Sequence, residues 1–141
     1  MKRQFDIIAG PPTKHLPFSS VVGFENLILV SGMVGRDPET GKIAVGDIAE
    51  QTRQTLSNID HQLAKAGLSL QHVIKATVFI TDMGMVQKMN QVYVSFFESG
   101  LPARSCVQVV ALPDPEALVE IEVLALREGQ SIDYRAWLGR R

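Results

Sequence analysis

The sequence predicts one α+β domain, and three observations predict it. Six short runs are apolar or alternate between apolar and polar residues, as strands do. Two longer runs repeat their apolar residues at helical spacing. Their order is strand, strand, strand, helix, strand, helix, strand, strand, within 141 residues that suit a single core.

Gln4 to Ala9 is the first strand, stopped by Gly10-Pro11-Pro12. Phe18 to Val22 and Leu27 to Val30 follow, with Gly23-Phe24-Glu25-Asn26 as the hairpin between them. The second of these runs is expected to end at Ser31-Gly32, where a glycine permits close backbone approach. Asp37-Pro38-Glu39-Thr40-Gly41 is a solvated turn. A helix begins at Asp47, which with Glu50 three residues on resembles a capping box. Ile48, Thr52, Thr55, Leu56, Ile59, Leu63 and Ala66 form its buried stripe, and Gly67 stops it. Val73 to Thr81 alternates, which places Ile74, Ala76, Val78 and Ile80 on one face. The second helix runs from about Met85 to Phe97, its aromatic residues facing the core.

The last two strands, joined through Leu112-Pro113-Asp114-Pro115, carry the charges that need an explanation. Arg104, Cys106 and Gln108 share one face of the first, and Glu120 and Glu122 share one face of the second. A charge threaded into a largely apolar strand needs a partner. For Arg104 that partner is either a Glu of this chain, which makes the site structural, or an anionic ligand. Cys106, two residues from Arg104, has a neighbouring positive charge that could lower its pKa, but a small buried apolar filler is the commoner fate of a free cysteine. Two helices cover only one face of a sheet this wide, yet the strands are apolar on both faces. The open face therefore calls for a second protein surface, most simply another copy of the chain.

Composition narrows the classes. Apolar residues make up 45%, charged residues 21%, and the net charge is −1, so no basic footprint for nucleic acid is present. A single cysteine excludes an internal disulfide and suits the cytoplasm. No apolar run has the length of a signal peptide core or a membrane span. The three histidines are scattered without metal-ligand spacing, and no phosphate loop or dinucleotide fingerprint occurs.

Pro102-Ala103-Arg104-Ser105-Cys106-Val107 resembles the signature of the RidA/YjgF family, the reactive-intermediate deaminases. The likeness extends over Asn26 to Gly32, Gln51 to Asn58, Lys75 to Phe79, Met89 to Tyr93 with Phe96-Phe97, and Glu120-Ile121-Glu122. It implies one domain over residues 1–141, with 128–141 a C-terminal extension. It further implies a chorismate-mutase-like fold, a mixed six-stranded sheet with two helices on one face, and a homotrimer with clefts between subunits. The implied reaction is cofactor-free hydrolysis of enamines and imines to 2-keto acids and ammonia, with no metal. By the same likeness Arg104 holds the substrate carboxylate and Glu120 orients water. Phe18, Ser31, Gly32, Asn90 and Cys106 line the pocket. The implied partners are a small carboxylate substrate and further copies of the chain, not nucleic acid or membrane. Phe18 stands where active relatives usually carry Tyr, and Met33 where Gln is common, which points to a divergent subgroup with a bulkier or less polar substrate. The competing functions are a trimeric carboxylate binder without turnover and an RNA-cleaving or translation-inhibiting protein.

Overall fold

A computed structural model describes residues 4–128. The proposed extension at 128–141 lies outside the described residues apart from Glu128. Six strands form one sheet in the order β1-β2-β3-β6-β4-β5. They are β1 (Asp6–Ala9), β2 (Val21–Phe24), β3 (Leu27–Val34), β4 (Val73–Ile80), β5 (Ala103–Gln108) and β6 (Val119–Leu126). Only β4 and β5 pair in parallel, because the helix between them returns the chain to the same end of the sheet. Helices α1 (Ile48–Ala64) and α2 (Val86–Ser95) pack on one face and against each other. No described helix is long and apolar enough to cross a membrane.

Residues of β4 and β6 that oppose each other share a face, and Ala76, Val78, Ile121, Val123 and Ala125 are buried beneath the helices. From α1, Ile48, Leu56, Ile59 and Leu63 close this core, as the stripe predicted. Asp47 caps α1 by accepting from the Ala49 N–H at 2.9 Å and ties it to α2 through Lys88. The bond to Lys88, and then that to Ala49, lowers the Asp47 pKa. Glu50 does not complete a capping box; its carboxylate pairs instead with Arg53 one turn on. Gln51, buried on α1, pins the stretch before β6: its amide donates to the Glu116 carbonyl and accepts from the Leu118 N–H.

Several sequence expectations are corrected. The hairpin turn is only Glu25-Asn26, with Glu25 at φ 53°, so Gly23 and Phe24 belong to β2. Ile74 is exposed and Val73 buried in its place, because the β4–β6 register shifts between Val73 and Lys75. Strand β3 does not end at Ser31-Gly32 but continues to Val34. These two residues fit between the Val30–Val123 and Met33–Ile121 pairs, where β6 has only Glu122. They form a bulge, with one extra residue on β3. Strands β5 and β6 are not neighbours, since β4 lies between them.

Candidate active site

The register across β5, β4 and β6 decides which site residues can meet. Arg104 lies opposite Ala76, which lies opposite Val123, and both of those are buried under the helices. Cys106 lies opposite Val78, and that opposite Ile121, on the same face. Glu120 and Glu122 oppose Phe79 and Thr77 on the other face. Arg104 and the two glutamates thus lie on opposite sides of one sheet. The reading of Arg104 as the ion-pair partner of Glu120 or Glu122 within the chain is overturned. Among the described residues Arg104 makes no salt bridge at all.

On the helix side, Arg104 is held by neutral groups. Its Nη1 donates to Oδ1 of Asn90 at 2.7 Å, and its guanidinium carbon stands 4.8 Å from the centroid of the Tyr93 ring. Asn90 and Tyr93 are three residues apart on α2, so they project from one side of the helix. Cys106 is partly buried and packs against the core, in keeping with its reading as an apolar filler.

On the open side, the bulge brings Gly32 against Glu120. A Cβ added at Gly32 would collide with Oε1 of Glu120 and stand 3.0 Å from its carboxyl carbon. The glycine lets the flexible Glu120 side chain approach the backbone closely. Burial raises the Glu120 pKa, and the neighbouring charge of Glu122 raises it further. No described cation relieves this pair; the nearby Lys75 on β4 donates to Oγ of Ser105 at 3.0 Å. A hollow of about 150 Å³ lined by Leu29, Lys75, Thr77, Glu122 and Leu124 opens on the same face. Ser31 donates to the Ser19 carbonyl at 2.7 Å, which ties the loop carrying Phe18 to the bulge. Phe18 itself is 42% exposed.

The predicted residues therefore form two clusters: Arg104, Asn90 and Cys106 under the helices, and Ser31, Gly32 and Glu120 on the open face beside the loop of Phe18. Residues 10–127 match the family described as Endoribonuclease L-PSP, the YjgF/RidA domain. The chain belongs to the RidA/YjgF family. A RutC family protein of Pyrococcus horikoshii is 45% identical over 79% of this chain and 88% of its own. The Bos taurus protein named 2-iminobutanoate/2-iminopropanoate deaminase is 40% identical over 84% of this chain and 86% of its own. Among solved structures, Escherichia coli TdcF with bound serine superposes at a TM-score of 0.77 with 35% identity, covering 90% of this chain and all of that one. The mixed six-stranded α+β architecture is that of solved RidA/YjgF proteins.

Sequence reading missed two contributors. Helical spacing alone gives Tyr93 as a core residue, although its separation from Asn90 signals a shared helix face. Glu122 was placed on the face of Glu120, but its effect on that carboxyl depends on the depth at which both sit.

Proposed function

We propose that this protein hydrolyses small enamines and imines that carry a carboxylate, releasing a 2-keto acid and ammonium. The observation that carries this reading is Arg104, a partly buried cation held, among the described residues, by an amide oxygen and an aromatic face. Neither group neutralises it, so the positive charge and the donors not engaged by Asn90 are left for an anion. A guanidinium binds a carboxylate through two parallel hydrogen bonds, which fixes the attached imine carbon in place. The deaminase name of the bovine relative and the serine in the TdcF structure support a substrate of amino-acid size.

In the reaction, water adds to the carbon of the protonated imine and its electrons move onto nitrogen. A water proton passes through the Glu120 carboxylate to that nitrogen, the C–N bond breaks to release ammonia, and the remaining O–H proton passes to that ammonia as the carbonyl forms. The products are the 2-keto acid and ammonium. The iminium nitrogen is the electron sink, so this chemistry calls for neither metal nor cofactor. A carboxylate whose pKa is raised by burial suits the role of base nearer neutrality. Ser31, Gly32, Phe18 and Cys106 line the pocket in this reading. The acidic pair at the site and the net charge of −1 disfavour a polyanion such as RNA. The single cysteine fits a cytoplasmic setting.

Because Arg104 and Glu120 face opposite ways, the site is assembled from two protomers of a homotrimer, Arg104 from one and Glu120 from its neighbour. The open sheet face, with Phe24 and Leu126 47% and 40% exposed, is the surface on which the copies meet. Two measurements test this. Ketoacid and ammonia release from freshly generated 2-iminopropanoate should accelerate with protein; pyruvate binding without acceleration would mean a carboxylate binder instead. Arg104→Ala and Glu120→Gln, each inactive alone, should recover about a quarter of wild-type activity when co-expressed, since random pairing leaves that share of clefts intact. No recovery would place both residues of a site on one protomer.

A further inference from the structure

We infer that Tyr93 is a positioning residue for substrate, acting through Arg104 by the face of its ring rather than by its hydroxyl. The inference rests on the reading of Arg104 as the carboxylate clamp. A guanidinium on the edge strand β5 has two freedoms that matter to a bound carboxylate, rotation in its own plane and tilt of that plane. The hydrogen bond from Nη1 to Asn90 restrains the first. The ring of Tyr93, 4.8 Å from the guanidinium carbon, restrains the second through the attraction of a cation for the electron-rich face. Tyr93 is able to do this because it is itself fixed. It is 3% exposed, and its ring packs on Phe97 at 4.8 Å between centroids and a 42° tilt.

Partner chemistry is what makes the arrangement suited to binding. A carboxylate beside Arg104 would occupy the prongs that a substrate needs and cancel the charge that attracts it. An amide oxygen and a π-face hold the same cation in place while leaving its charge whole. The hydroxyl of Tyr93 is buried and has no hydrogen-bond partner among the described residues, so it does not do the holding. Burial raises its pKa, with Arg104 opposing, and the phenol stays neutral at ordinary pH.

The test replaces Tyr93 with Phe and with progressively fluorinated phenylalanines, which keep the shape of a ring while draining its face. Pyruvate affinity is read by calorimetry, and KM and kcat are measured on 2-iminopropanoate. Tyr93→Phe should bind pyruvate within about twofold of the parent, and the most fluorinated ring about tenfold more weakly, with KM rising in step. A purely structural role would lower the melting temperature but leave the affinity of the folded protein alone. Flat or tightening affinity across the series overturns the inference, as does a Tyr93→Phe variant impaired as much as the fluorinated ones. Arg104→Ala, run alongside, separates the two levels. If it binds pyruvate normally, the clamp reading itself is wrong; if it loses binding while the series is flat, only the role of Tyr93 fails.

Discussion

The two faces of the sheet treat their charges in opposite ways. On the helix side, Arg104 is half-buried on the edge strand β5 and held by neutral partners, Asn90 and Tyr93. On the open face, Glu120 and Glu122 lie together with no salt bridge to a described cation, and burial plus repulsion by Glu122 raises the pKa of Glu120. The first cluster leaves a guanidinium charge without an acidic partner among the described residues. The second is an acid pair at a surface the chain leaves uncovered. In the proposed reaction the first binds and the second accepts a proton, and the sheet keeps the two charges from neutralising each other within a protomer.

The largest effect should come from breaking the helix-side half. Arg104→Ala is expected to lower kcat/KM by more than about 100-fold, because the prong that orients the substrate is lost. Its stability should fall by only about 1–2 kcal/mol, the scale of a lost cation–π contact and hydrogen bond. Removing half of a buried ion pair would cost ~3–5 kcal/mol, so a melt distinguishes the two. Arg104→Lys keeps the charge but not the fork, and should recover little activity.

The open half breaks more gently. Gly32→Ala would push the Glu120 carboxylate aside, and because that group is the free end of a flexible side chain the fold should survive. We expect kcat to fall by about tenfold, less than the ~100-fold or more of a base lost outright because the carboxylate is displaced and not removed, while pyruvate affinity is unchanged. Gly35→Ala supplies the contrast. There a Cβ would stand 2.6 Å from the Gln51 carbonyl oxygen and 3.0 Å from its Cα, all backbone of α1. That variant should lose about 1–3 kcal/mol of stability by overpacking. If Gly32→Ala weakened pyruvate binding as much as Arg104→Ala does, the two halves would not be separate in function.

Much of this was legible in the sequence, and the limits have a physical cause. The order of elements followed from apolar spacing, since periods of two and 3.6 residues are properties of single segments. Arg104 stood out because a cation in an apolar strand has to be satisfied. Alternation alone also placed Glu120 and Glu122 on a common face. What single segments cannot reveal is how faces relate across strands. That Arg104 and Glu120 point apart depends on β4 lying between β5 and β6 and on the register of both pairings. The same holds for the Ser31-Gly32 bulge and for Ile74, where an irregularity in pairing reverses the simple count.

The smallest effect sharpens the account of the open half. Burial is the larger cause of the raised Glu120 pKa, and the charge of Glu122 is the smaller. Glu120 must be ionised to accept a proton, so kcat/KM should fall as pH drops through its pKa, above the range of an ordinary glutamate. Glu122→Gln removes the repulsion and leaves the burial. The acid limb should therefore move to lower pH, and only modestly, because the Glu122 side chain is exposed and its field is screened. It should not reach the ordinary value. Stability carries the matching sign. With its folded pKa raised, Glu120 favours the folded state below its unfolded pKa, and that contribution is lost as pH rises through the folded value. Lowering the folded pKa in Glu122→Gln narrows this window, so the variant should melt slightly higher than the parent at neutral pH and alike in acid. Added salt should shift the limb of the parent in the same direction and that of the variant less. A limb that stays put in Glu122→Gln, or moves upward, would show that the group titrating in the rate is not Glu120.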